Sequence, residues 1–332
     1  MIFRNPDYSE THPTKEFESI IKRVFEFVKK IAPTTQTEKI QETEQNLSVI
    51  VCDETLIHKY LKNGILQNQK LNDAAHCFWT DIDTEHTSAS QGIAFRPNGL
   101  EEHKIAHETL HAFSSEIGKT PNGGYVKRGP HYVTADSNLI NTIESKGSVL
   151  NEAITDALAS RFRGTIGPGP GAGYGSLVLL ADLLIGEKLE NNLFLQDVYW
   201  GFGNKFSQDF DKTIKTSQAK FADYLKPFVI CGTPEDNLKS DNLLCGAIEY
   251  NLRKAATVQE IDNVYNFQTK IITFYRDNFM LTGIIEDEDI ERMNKLIKFA
   301  DNMHKKCKFD VLSRTTQHEQ TTTTTLSNER TV

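Results

Sequence analysis

Cysteine pairs, long apolar runs and surplus positive charge are all missing from this chain, and each shortage removes a class of protein. The five cysteines, Cys52, Cys77, Cys231, Cys245 and Cys307, are odd in number and include no CxxC spacing. That usage suits free buried thiols or a reducing compartment better than a disulfide framework. No stretch reaches the ~18 apolar residues that a membrane span requires, so stable membrane insertion is not expected. The opening Met1-Ile2-Phe3-Arg4-Asn5-Pro6-Asp7-Tyr8 lacks the apolar run of a secretory signal. The expectation is a cytoplasmic protein, or one exported without such a signal, an effector aimed at another cell included. A formal charge of −8 and a pI near 5.7 argue against a generic nucleic-acid or anionic-membrane surface, either of which needs clustered excess Lys and Arg, and leave room for local patches alone. The glycine-rich Gly164 to Gly175 lacks the Gly-Lys-Ser/Thr ending of a phosphate loop and follows a helix rather than a strand. It reads as a mobile loop near a substrate, or as a plain linker.

What is present begins with a composition, 38% apolar and 25% charged over 332 residues, that can bury a substantial core. The chain is organised around Glu101 to Gly118. Ile105, Ala106, Leu110, Phe113 and Ile117 recur there at helical spacing, and Gly118 stands next as a C′ residue. Inside this helix lies His107-Glu108-Thr109-Leu110-His111. Two histidines four apart share a helix face, where both imidazoles can reach one ion. Glu108 projects about 100° round the axis from His107, so it can flank a metal without ligating it. A base for the attacking water belongs in that place.

Leu150-Asn151-Glu152-Ala153-Ile154-Thr155-Asp156-Ala157-Leu158-Ala159 reads as a second helix, with Leu150, Ile154, Ala157 and Leu158 on its stripe and a stop at Gly164. Glu152 and Asp156 share a face. One carboxylate can complete a His/His/Glu set that leaves a fourth tetrahedral position open, and the other can accept the free N–H of a ligating imidazole.

With both motifs in hand, the chain resembles the gluzincins, the thermolysin-like zinc metallopeptidases. The shared elements are His107-Glu108-x-x-His111 and, 41 residues beyond His111, Asn151-Glu152-x-x-x-Asp156. The resemblance implies one zinc ion ligated by His107, His111 and Glu152, with Glu108 as the base. It also implies Asp156 as the partner of His107 and Asn151 as the partner of His111. Gly173-Tyr174 and the apolar Leu177 to Gly186 extend the likeness, which covers roughly residues 90 to 200. The implied activity is hydrolysis of peptide bonds in a protein or peptide substrate, as an endopeptidase. The alternatives are a non-catalytic zinc-binding protein of the same fold and a zinc hydrolase of non-peptide substrates.

The remaining elements place this site in an α+β fold. Residues 14 to 32 form an amphipathic helix on Phe17, Ile20, Ile21, Val24, Phe25, Val28 and Ile31, stopped by Pro33. It reads as a packing helix, with a membrane-touching helix as the alternative. Leu47 to Cys52, Ala75 to Trp79 and Gly92 to Phe95 are candidate strands of a small sheet, and Leu56 to Leu61 a helix between them. By the resemblance, Ile93-Ala94-Phe95 holds the place of the edge strand that pairs with extended substrate, which makes Ala94 and Phe95 substrate-binding candidates. An interior strand is the competing reading.

His103, one turn before His107, reads as an exposed first-turn residue, and Lys119 to Gly147 as a long loop serving as lid or substrate wall. The donor for a developing oxyanion falls to Tyr174, Tyr132 or His131, in that order. From about Asn204 the pattern turns helical, with stripes on Phe210, Ile214, Phe221 and Leu225, on Ile261, Val264, Ile271 and Phe274, and on Ile290, Met293, Ile297, Ala300 and Met303. Thr257-Val258-Gln259-Glu260 is a capping-box signature. The domains expected are therefore 1–204, metallopeptidase; 205–310, a helical lobe walling the cleft; and 311–332, a Thr-rich tail without structure.

Overall fold

The computed structural model describes residues 2–3, 15–51, 75–80, 90–95, 100–121, 123–135, 142–169, 175–216, 220–221, 234–281 and 287–328. The chain divides into two compact units. The first comprises residues 1–181, 188–207 and 222–230, and the second 182–187, 208–221 and 231–332.

In the first unit, β1 (Ile2–Phe3), α1 (Lys15–Ile31), α2 (Thr37–Asn46), β2 (Ser48–Val51), β3 (Ala75–Thr80) and β4 (Ser90–Phe95) lead to α3 (Glu102–Phe113), the motif helix. All seven apolar positions expected on the face of α1 are buried. Phe17 meets Phe95 edge-on at 5.2 Å between ring centroids and Phe25 meets Phe113 at 5.5 Å, so α1 packs between the sheet and the motif helix. Burying a phenylalanine in this way is worth about 2–3 kcal/mol.

The first sheet has the order β1-β2-β4-β3, with β2 and β4 parallel and β3 antiparallel to β4. Strand β4 therefore lies inside the sheet, and Ala94 and Phe95 are buried in the core at 1% and 0% exposure. The edge-strand reading of these two residues is corrected: an unbroken apolar run is the mark of a strand covered on both faces. The edge strand that contacts α3 is β3. The helix read at Leu56 to Leu61 lies outside the described residues.

Two further expectations fail just past the motif. Helix α3 stops at Phe113 rather than running to Gly118, because the hydroxyls of Ser114 and Ser115 both donate to the carbonyl of His111, at 3.2 and 2.5 Å. Such local bonds compete with continued helix. In place of a long loop, the chain then forms an antiparallel meander of β5 (Ser115–Thr120), β6 (Gly123–Arg128), β7 (His131–Ala135) and β8 (Thr142–Lys146). The meander delivers the chain to α4 (Ser148–Phe162), the glutamate helix. Helix α5 (Gly175–Ile185) closes at Gly186 as expected, with φ of 66° there.

The second unit is helical. Helix α6 (Asn204–Thr213) crosses from the first unit and ends before Phe221, so Phe210 and Phe221 are both buried without sharing one helix. Helices α7 (Pro234–Lys254), α8 (Val258–Leu281) and α9 (Asp287–Asn328) pack on one another. The capping box forms: the Glu260 amide donates to the Thr257 hydroxyl and the Thr257 amide to the Glu260 carboxylate, both at 3.1 Å. Ile261, Ile271, Ile272 and Tyr275 of α8 are buried with Met293, Leu296, Ala300 and Met303 of α9. Val264, Phe274, Ile290 and Ile297 are only half-buried. The stretch from 311, expected without structure, continues α9 to Asn328, since extending a helix from a packed nucleus costs little per residue. Among the described residues Cys245 and Cys307 are free thiols, and no helix is long and apolar enough to cross a membrane.

Candidate metal centre

Helix α3 sets the imidazoles of His107 and His111 on one face, and α4 packs against it. From Leu150 to Ser160 every residue of α4 except Glu152 is buried. A helix covered on nearly all sides is held rigidly, which suits a helix that must offer one carboxylate. The Nε2 atoms of His107 and His111 stand 3.0 Å apart, and Oε2 of Glu152 lies 3.1 Å from the first and 3.3 Å from the second. A tetrahedral ion with bonds of ~2.0–2.1 Å requires neighbouring donors about 3.3 Å apart, so this triangle fits the ligand set of such an ion. The donors, two imidazole nitrogens and one carboxylate oxygen, are those that bind zinc.

The partners of the imidazoles agree in part with expectation. Around His111, Asn151 Nδ2 lies 3.3 Å and Thr155 Oγ1 3.4 Å from Nδ1, and Thr155 Oγ1 continues to the Tyr199 hydroxyl at 3.1 Å. The Asn151 amide oxygen is buried without a hydrogen-bond partner. Turning that amide over gives Nδ1–H its acceptor and frees Nε2 for a metal. Gly129 (φ 52°) packs directly on Asn151, and a Cβ there would overlap the amide oxygen. Thus the β6–β7 turn reaches the metal centre through Asn151.

Around His107 the arrangement differs from the expected pair. Asp156 Oδ1 is 3.7 Å from His107 Nδ1, an electrostatic contact longer than a hydrogen bond, whereas it accepts from His103 Nε2 at 2.6 Å. Its other oxygen accepts the Gly169 amide at 2.8 Å, which anchors the first part of the glycine-rich loop. His103 is buried, not exposed as its first-turn position suggested.

Electrostatics reflect this crowding. Burial opposes ionisation of Glu152, yet His111 and His107 overcome it and hold the carboxyl well below the ordinary range. Burial likewise works against Asp156, and its bonds to His103 and the Gly169 amide, with the longer contact to His107, lower it all the same. Burial also works against a charged His107, but Asp156 and Glu152 outweigh it and raise the imidazole to about 10. Glu108 goes the other way. Burial raises its carboxyl, and the charges of His107, His111 and Arg128 offset only part of that.

Of the three oxyanion candidates, Tyr174 lies outside the described residues. Tyr132 stacks on Tyr125 at 5.3 Å and meets Phe202 edge-on. His131 feels the charges of Glu152 and His111, and burial together with Arg128 holds it down to about 4, hence neutral. Neighbouring strand residues point to opposite faces, so the side of β7 turned toward the metal centre is that of His131. Sequence reasoning passed over Thr155, Tyr199 and Arg128, and gave His103 no role. Thr155 stands three positions after Glu152 and His103 four before His107, so both could have been found from helical spacing; Tyr199 and Arg128 carry no local signal.

Comparison of the chain with protein-family models, with curated proteins and with solved structures finds no match in any of them.

Proposed function

We propose that the chain is a zinc-dependent endopeptidase of the gluzincin kind, acting on a protein or peptide substrate. The observation that carries this reading is the convergence of His107 Nε2, His111 Nε2 and Glu152 Oε2 to within 3.3 Å of one another, beside a half-buried glutamate. Zinc, when bound, supplies a Lewis acid that polarises the scissile carbonyl and acidifies water. Glu108 takes the proton of the attacking water and hands it to the leaving amine, and a carboxyl raised by burial is better matched to that double task than an ordinary one. Asn151 and Thr155 hold His111, and Asp156 orients His107. The neutral His131 offers an N–H to the developing oxyanion. Strand β3 offers the sheet edge along which extended substrate pairs.

The deciding experiment treats a cell lysate with the chain and maps new peptide termini by mass spectrometry, with Glu108→Gln as control. New termini should appear with the parent protein only, and the variant should retain zinc while losing about 10²–10⁴-fold in rate. Equal cleavage by both proteins would remove Glu108 as the base. Bound zinc with no cleavage by either would end the peptidase reading.

A further inference from the structure

We propose that His103 is a positioning residue of the metal centre, holding Asp156 so that Asp156 can orient His107, and that residue 169 is glycine because the His103 ring fills the space of its side chain. The inference rests on the zinc reading and deepens it. His103 and Asp156 are 6% and 5% exposed, and the bond between them is 2.6 Å long. The carboxylate is pinned at both ends, Oδ1 by His103 and Oδ2 by the Gly169 amide, while Oδ1 also faces His107 Nδ1 at 3.7 Å.

His103 Nδ1 is buried with no hydrogen-bond partner. An apolar side chain would fill the same space without leaving a bare nitrogen, so what the imidazole adds is its N–H toward Asp156. Freed of that bond, the carboxylate turns about its own side-chain torsion, and the direction of the His107 lone pair loses its fixed reference. A Cβ built on Gly169 would overlap Nε2, Cδ2 and Cε1 of His103. The loop therefore meets the site at two points, the His103 ring and, through the Gly169 amide, the Asp156 carboxylate.

The test measures zinc affinity of the full chain by competition with a chromophoric chelator, alongside thermal unfolding without metal. His103→Phe, which keeps the bulk and loses the donor, should bind zinc about 10-fold more weakly. His103→Gln, whose amide N–H can reach the same oxygen, should stay within about threefold of the parent. Gly169→Ala should cost about 10-fold alone but nothing further on a His103→Ala background, because the ring it would strike is gone. Parent-like affinity in His103→Phe and Gly169→Ala would overturn the inference. So would a His103→Gln variant as weak as His103→Phe, or full additivity of the alanine pair. Should His103→Phe fail to fold, the Gln variant and the Gly169 cycle decide alone. A parent chain that takes up no zinc would instead overturn the metal reading, and this inference with it.

Discussion

Two carboxylates, one in each unit, meet opposite treatment. Glu249 in the helical unit is fully buried, and its oxygens accept from the Lys215 and Thr216 amides at 3.0 Å each, the Thr216 hydroxyl at 2.5 Å and Arg253 Nε at 2.7 Å. Every direction from that carboxylate is answered by a donor. At the metal centre, Glu152 Oε2 faces two imidazole nitrogens that also face each other. Lone pairs converging on one point repel one another unless a proton or a cation lies among them, whereas a closed ring of hydrogen bonds needs nothing more. The Glu249 network is closed on itself, and the Glu152 cluster is a candidate ligand set. Asp156 stands between them, closed on one side by His103 and Gly169 and open toward His107.

Four measurements put that contrast at risk. Glu152→Ala removes one of the three protein ligands proposed for zinc. If a zinc site is worth ~10–16 kcal/mol, each ligand carries roughly 3–5 kcal/mol, and zinc affinity should fall about 10³-fold in chelator competition. An unchanged metal content would cancel the assignment of Glu152.

Glu249→Ala leaves Arg253, inside the helical unit, with the 3.9 Å contact to Asp310 in place of its 2.7 Å bond to Glu249. Breaking a buried pair from one side costs roughly 3–5 kcal/mol, read as a lower denaturant midpoint, while zinc affinity should stay that of the parent. Loss of zinc in this variant would show that the closed network is not independent of the metal centre.

Asp156→Ala should weaken zinc binding by about 10- to 100-fold, less than loss of a ligand and more than any surface change. Parent-like affinity would discard its part in orienting His107.

Taken per pH unit, the gentlest effect is that of protonation. With its folded pKa raised to about 10, His107 carries a proton at neutral pH in the metal-free chain, and zinc must displace it. Glu152, held low, is already ionised and adds no proton. Affinity should therefore climb by up to about tenfold per pH unit above neutrality, levelling off near the His107 value. A flat profile from about pH 7 to 9 would mean that the imidazole is neutral before zinc arrives.

Helical segments are legible in the sequence because their signals are local. The face of α1, the two motif helices, the Gly186 stop and the Thr257–Glu260 capping box all rest on residues three or four apart, within reach of one turn's hydrogen bonds. Strands are less legible because their partners are distant. Gly123 to Arg128 has no run of β-branched residues, and only its pairing with β5 and β7 makes it a strand. Position within a sheet is more distant still, so Ala94 and Phe95 show as strand residues without showing which strands flank them.

The order of amino acids alone sets which residues share a helix face, and with it the pairing of His107 with His111 and of Glu152 with Asp156. Only the packing of α4 on α3 brings Glu152 to both imidazoles and bonds Asp156 more closely to His103 than to His107, and only the folded meander brings Gly129 and His131 beside them. The reason is that a helix repeats every ~3.6 residues whatever surrounds it, while the approach of two helices and a sheet depends on side-chain volumes contributed from all along the chain.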